Sequence, residues 1–463
     1  MLLLSFVTKA SARRKSGTLE AILIETPDFA DQDKPVQRWF LSARSWLNRE
    51  DEALASHDGL STGWQFVAFG LVIVALFCRS PRLLTHAQFY AEDGTIWFAQ
   101  AYNNGWLHSL TLPQAGYLNS MPRLAAGLAL LVPLTWAPLV MVTAGLFAQA
   151  LPVPILLSAR SRNLASLPTR MLLAALYVAL PNAREIHLVA TNTQWHLALT
   201  AALVAFACSP QTWRGRLFDI VVLLVASLTG PYCIVLAPVV LLFWWARRQP
   251  WSLVVLALVS AAACLQIVVL TNSTHRVQGA LGATPEGFLR MLGGHVVACA
   301  LVGSYSFASL APMTFIVPAA LGGLGICLYC LRFANLEWKL FLIYCGGVFA
   351  ACLHSPLTPG NKPAWDWLIV DNSARYWFFP MLAFVWSAVW CAVYGRDRLF
   401  KIAGTCILLI MSVGIIRDWN YGPYPDDHFA LSVVRMREAK PGERVVIPVV
   451  PDGWHMDLVK KSL

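Results

Sequence analysis

Apolar runs of membrane-crossing length recur from residue 63 onward, and they constrain this chain more than any other feature. "GWQFVAFGLVIVALFC" (63–78), "WSLVVLALVSAAACLQIVVL" (251–270) and "MTFIVPAALGGLGICLYCL" (313–331) approach the roughly 20 residues that a helix needs to cross a hydrocarbon core near 30 Å. Hydrocarbon offers no partner to a backbone N–H or C=O, so such runs must satisfy their own hydrogen bonds as helices. Hydrophobic residues fill 57% of the 463 positions and charged residues 13%, which is more apolar surface than a soluble core of that length buries. The expected fold is an all-α polytopic membrane protein with about 11–13 transmembrane helices. Two stretches leave the number open. Residues 121–158 carry Pro133, Pro138, Pro152 and Pro154 and read as one broken crossing or as a hairpin plus a third pass, while 288–308 reads as a full crossing or a re-entrant segment.

Charge sets the expected orientation. The formal net charge is +10, but the basic residues sit in short loops between apolar runs rather than in a stripe among stacking aromatics, so nucleic acid is not the expected partner. Loop retention and contact with anionic membrane lipids account for them. "SARSRN" (158–163), "TWRGR" (212–216), "WARRQ" (245–249), "RFANLEWK" (332–339) and "YGRDRLFK" (394–401) are expected on the cytoplasmic side. The eleven cysteines fall in or beside apolar runs, and Cys327 and Cys330 read as small apolar fillers, so neither a disulfide framework nor a metal site is indicated. "MLLLSFV" precedes the basic "ARRKS" and is too short for a secretory signal, which makes residues 1–60 a cytoplasmic, partly disordered extension. A transmembrane domain is expected over 61–416, and a small extracytoplasmic segment over 417–463. In that segment Asp426 and Asp427 are placed to cap a helix, and "ERVVIPVV" reads as a strand.

With the basic loops inside, the unusual residues collect on the opposite face. "FYAEDGTIWFAQAYNNGW", from Phe89, sets Glu92 and Asp93 side by side in a segment whose apolar positions suit a helix lying in the interface. "GYLNSMPR" brings Arg123 to the mouth of the next helix, and "ATNTQWHLAL" starts another with Asn192, Gln194, Trp195 and His196. Arg276 and Arg375 belong to the same face. Each serves either as a phosphate ligand or as a headgroup anchor, and His196 either as a ligand or as hydrogen-bonded packing. "LTGPY" (228–232) is expected to break a helix at Gly230 and Pro231. Asp219, near a cytoplasmic helix end, is expected to snorkel. An acidic point surrounded by cations fits glycosyl transfer from a lipid-linked phosphate sugar. One carboxylate takes the acceptor's proton, and Arg or His stabilises the leaving phosphate.

The segments "AEDGTIWFAQAYNNGW", "AGYLNSMPRLAA", "NTQWHLAL", "LTGPY" and "PDGWHMDL" are similar in order and wording to a family of bacterial membrane proteins. The acidic pair in a first outer loop, followed by a juxtamembrane helix, many membrane helices and an outer C-terminal segment, resembles the GT-C glycosyltransferases, which include protein mannosyltransferases and lipid A aminoarabinose transferases. The resemblance runs from about residue 85 to about residue 460. It implies a GT-C-like bundle in a bacterial inner membrane, a polyprenyl-phosphate sugar donor, and a glycan or lipid-linked acceptor on the extracytoplasmic face. Asp93 or Glu92 would be the general base, with Asp93 preferred, and the other would orient it or the acceptor. Arg375, Arg276, Arg123 and His196 would bind the donor phosphate. Tyr90, Trp97, Tyr117, Asn119, Asn192, Gln194, Trp195, Tyr376 and Trp454 are the candidates for the substrate cavity, Trp454 serving either to stack on a sugar or to anchor at the membrane surface. No cofactor and no metal are expected, because no His/Asp cluster has metal-ligand spacing. The alternative is a transporter or flippase of lipid-linked or anionic substrates, which would place ionisable residues at the middle of helices.

Overall fold

The computed structural model describes residues 58–273, 280–303, 307–358, 361–370 and 374–462. Most of the expected N-terminal extension, and Arg276, lie outside the described residues. Among those described, seven helices are long and apolar enough to cross a membrane: Thr62–Arg79, Leu134–Leu157, Pro250–Thr271, Met313–Phe333, Leu336–His354, Ala374–Tyr394 and Arg398–Asp418. Shorter apolar helices, Leu167–Val178 and Tyr232–Arg247, accompany them. The described residues are mainly helical, and their seven long apolar helices mark an integral membrane protein. Ala374–Tyr394 is almost wholly buried and forms the centre, whereas Arg398–Asp418 is mostly exposed and turns residues such as Leu409 and Ile416 outward. Apolar side chains directed outward on a helix of this length suit lipid rather than water.

The basic loops gather at one end. Arg160 in the first of them donates to both carboxylate oxygens of Asp219 at 2.8 and 2.7 Å, and Trp251 Nε1 donates to Oδ2 at 3.0 Å. Arg247 pairs with Glu337 at 2.8 Å, Asn335 Nδ2 donates to the carbonyl of Asn163, and Tyr394 bonds Ser166. The expectation that Asp219 snorkels is corrected. It is fully buried, because a guanidinium one loop away satisfies it without water. Leu60, just before the first long helix, bonds backbone to backbone with Leu157 at this same end.

At the other end the short elements are held by long-range contacts. Residues 121–158 hold one helix of crossing length, Leu134–Leu157, which runs to the basic-loop end at Leu157, and helix Ser120–Ala129 packs against it. From Pro285 to Val302 the chain is helical, with a π-helical stretch at Met291–Ala298. "LTGPY" does interrupt a helix. Ser227 ends one and Tyr232 begins the next, with Gly230 at φ +88°. The break is bonded to residues 118–120: Gly230 N–H donates to Leu118, and Ser120 N–H donates to Leu228. Gln266 then clasps both partners, accepting from Leu118 N–H and donating to the carbonyls of Leu118, Ser227 and Gly230.

The C-terminal segment packs into this end. Helix Phe429–Glu438 precedes an antiparallel hairpin of β1 (Arg444–Val449) and β2 (Trp454–Val459), with Arg444 opposite Val459 and Val449 opposite Trp454. Strand β1 alternates exposed and buried positions, as a half-buried strand must. Its inward residues Val445, Ile447 and Val449 join Met456, Leu458, Phe89, Trp97 and Phe98 in one hydrophobic cluster. Capping differs from expectation. The residue before the helix is His428, no side chain caps it, and Asp426 accepts from His428 N–H at 2.9 Å.

Candidate functional site

The acidic pair is divided between two environments by a sharp turn. Ala91 takes a left-handed φ of 39°, and a π-helical stretch begins at Asp93, so Glu92 and Asp93 leave the backbone in different directions. This turn is pinned to the tail, since Val450 N–H donates to Phe89 at 3.1 Å and Ala91 N–H donates back to Val450.

Asp93 points into the protein and is 1% exposed. Its carboxylate accepts from Thr191 N–H at 2.7 Å, Thr191 Oγ1 at 2.6 Å and Ala190 N–H at 3.1 Å. Burial nevertheless dominates and pushes its pKa up to about 7, against the lowering effect of those bonds. Trp97 Nε1 donates to Thr191 Oγ1 at 2.8 Å, so Asp93, Thr191 and Trp97 form one chain of bonds. Asp93 also reaches the wall of a cavity of about 430 Å³ formed with Arg82, Trp136, Leu188, Tyr424 and Phe429.

Glu92 points the other way, into a cavity of about 790 Å³. Tyr90, Gln100, Gln114, Tyr117, Glu185, Thr191, Asn192, Gln194, Thr358, Arg375 and Trp454 share that wall. Among the described residues none gives Glu92 a hydrogen bond or an ion pair. A neighbouring cavity of about 260 Å³ is lined mainly by apolar groups, including Trp195, Tyr232, Val235, Leu270 and Val348, with Tyr376. The two cavities share Tyr117, Gln194, Leu357 and Arg375. At this seam Gln194 is 6% exposed, and its Oε1 is buried without a hydrogen-bond partner among the described residues. Burial pushes the Tyr117 hydroxyl up to about 12, so it stays protonated and able to donate. Arg375 opens helix Ala374–Tyr394, lies 5.0 Å from the centre of the Tyr376 ring, and forms an ion pair with Glu185, which also accepts from Arg375 N–H at 3.0 Å.

Several expected site residues are thus together: Glu92, Tyr90, Tyr117, Asn192, Gln194, Arg375 and Trp454 at the polar cavity, with Trp195 and Tyr376 at its apolar neighbour. Others stand apart. His196 is buried with both ring nitrogens engaged, by the Tyr177 hydroxyl at 2.9 Å and the Ile186 carbonyl at 3.0 Å. Arg123 is fully buried behind the wall, over the Trp97 ring at 4.8 Å and bonded to Gln100. Asn119 is buried and pairs through its backbone with Thr229. Among the described residues, no group of three or more His, Cys, Asp or Glu side chains is placed to hold a metal ion.

Gln100, Gln114, Thr191 and Thr358 were not anticipated as wall residues. A lone glutamine or threonine carries no pattern of its own, and only the fold brings these four to one surface. Trp454 follows a detectable signal, since "PDG" between two apolar-alternating segments is turn chemistry. No protein-family model matches this chain, and no curated protein matches it in sequence.

Proposed function

We propose that this protein is an inverting membrane glycosyltransferase of GT-C type that uses a polyprenyl-phosphate sugar as donor. The observation that carries the reading is the seam: a polar cavity holding a carboxylate to which no described residue hydrogen-bonds adjoins an apolar cavity, and an arginine sits on the wall common to both. A lipid phosphate sugar has that sequence of parts. Its chain suits the apolar side, its phosphate Arg375, and its sugar the amides and hydroxyls around Glu92.

On this reading Glu92 rather than Asp93 is the base. Asp93 spends its lone pairs on residues 190 and 191, whereas Glu92 is open to a ligand. Glu92 takes the proton of an acceptor hydroxyl as that oxygen attacks the anomeric carbon. The bond from that carbon to the phosphate oxygen breaks with inversion, and the polyprenyl phosphate leaves with its electron pair. Arg375 offsets the charge that develops there, and Glu185 holds its guanidinium in place. The acceptor would be a glycan or a lipid-linked glycan. The gathering of the basic loops at the opposite end supports a cytoplasmic placement for them, and so an extracytoplasmic cavity in a bacterial inner membrane.

Transfer of radiolabelled sugar from a panel of polyprenyl-phosphate donors to membrane extract tests the reading. Glu92→Gln is expected to lower transfer by about 10²–10⁴ while the protein stays folded. Donors left unconsumed by the native protein, or full transfer by Glu92→Gln, would sink it and favour transport of a lipid-linked anion instead.

A further inference from the structure

Arg123 is a costly residue for the fold to keep. Its guanidinium is fully buried, and among the described residues no carboxylate is bonded to it. Nε and Nη2 find no partner among the described residues, and the charge is offset in part by the Trp97 ring, 4.8 Å away. A side-chain hydrogen bond runs from Nη1 to Gln100 Oε1 at 2.9 Å. That bond has a directional consequence. A guanidinium can only donate, so the amide at position 100 must turn its oxygen toward Arg123 and its NH₂ group away. Gln100 lines the polar cavity, and its Nε2 has no partner among the described residues and is not sealed from the cavity.

We infer that Gln100 is a ligand-recognition donor of the Glu92 cavity and that Arg123 is the positioning residue which fixes its amide. The group recognised is a hydrogen-bond-accepting oxygen of the sugar, and the inference rests on the polyprenyl-phosphate reading given above. Fixing the amide also gives selectivity. A free glutamine presents either end, so it tolerates a donor or an acceptor on the ligand, whereas an amide locked by Arg123 favours an acceptor alone.

The test uses the full-length protein in lipid nanodiscs with farnesyl phosphate and its glucose, galactose, mannose and N-acetylglucosamine esters, read by quenching of tryptophan fluorescence. The measured quantity is the affinity ratio of the best sugar ester to farnesyl phosphate. Gln100→Leu is expected to lower this ratio about fivefold to tenfold, the worth of one hydrogen bond. Gln100→Glu keeps the contact with Arg123 and the thermal stability but cannot donate as a carboxylate, so it loses the ratio equally. Arg123→Lys, which also only donates, retains the ratio. Arg123→Gln lowers it, and adds nothing when Gln100 is already Leu. An unchanged ratio in both Gln100 variants overturns the inference and leaves the functional reading standing. Arg123→Gln shifting both probes alike, in either background, reduces Arg123 to a packing role. Failure of every probe to bind the native protein overturns the functional reading and this inference with it.

Discussion

A carboxyl group that is 1% exposed and holds three donors does two jobs at once, and at Asp93 they pull in opposite directions. Its bonds order residues 190 and 191, the second of which lines the polar cavity, while its burial raises the pKa from the ordinary carboxylate range to about 7. An unfolded aspartate titrates near about 4, so between these values the folded state binds more protons than the unfolded state. The contribution of Asp93 to stability is therefore best below the unfolded value, declines as pH rises toward 7 and stays low above it. Asp93→Asn should lower stability by about 1–3 kcal/mol near neutrality through the weakened acceptor. It should also flatten the fall in melting temperature seen between acidic and neutral buffer, measured in detergent by scanning fluorimetry. A variant with the native pH profile would show that another group is responsible. The acidic pair was legible in the sequence but its division of labour was not, because the left-handed turn at Ala91 that separates the two side chains has no glycine to announce it.

At the scale of elements, the site depends on breaks more than on helices. Gly230 shows why. A Cβ at this position would lie 2.6 Å from Gln194 Oε1, and φ +88° is strained for any side chain. Gly230→Ala is expected to cost about 1–3 kcal/mol, through strain and displacement of the Gln194 amide. It should weaken donor binding more than a substitution of equal stability cost elsewhere, which a titration with farnesyl phosphate would measure. This break was readable from Gly and Pro adjacent inside an apolar run. Its partner was not, since nothing in "AGYLNS" announces that residues 118–120 will bond to 228–230 across more than a hundred positions. Strand β1 was readable by its alternation. The place of the hairpin in the core with Phe89, Trp97 and Phe98 was not, because that contact joins the first loop to the tail.

Over the whole molecule, charge is sorted to opposite ends, and each end uses it differently. The end carrying the basic loops neutralises its acids in pairs: Asp219 with Arg160 and Glu337 with Arg247. The cavity end keeps Glu92 free of hydrogen bonds from the described residues and pairs Arg375 with Glu185, over the Tyr376 ring, at the edge of a space a ligand can enter. Loop composition foretold the first arrangement in outline, since basic loops were expected to share a side, but not that two buried acids would be held there. Removing one member of a buried pair strands the other. Arg160→Ala should therefore cost about 3–5 kcal/mol, because Asp219 is fully buried and would keep only the Trp251 bond. Replacing both residues, as Arg160→Met with Asp219→Leu, should recover much of that loss, since the cost lies in the uncompensated charge rather than in the missing pair. Thermal unfolding of the single and double variants in one detergent tests this. A double variant no more stable than Arg160→Ala would mean that the pair itself holds the loops together. Sugar transfer per folded molecule should be the same in both, because the pair sits at the end opposite Glu92, so stability and activity can vary independently here where at Asp93 they are joined.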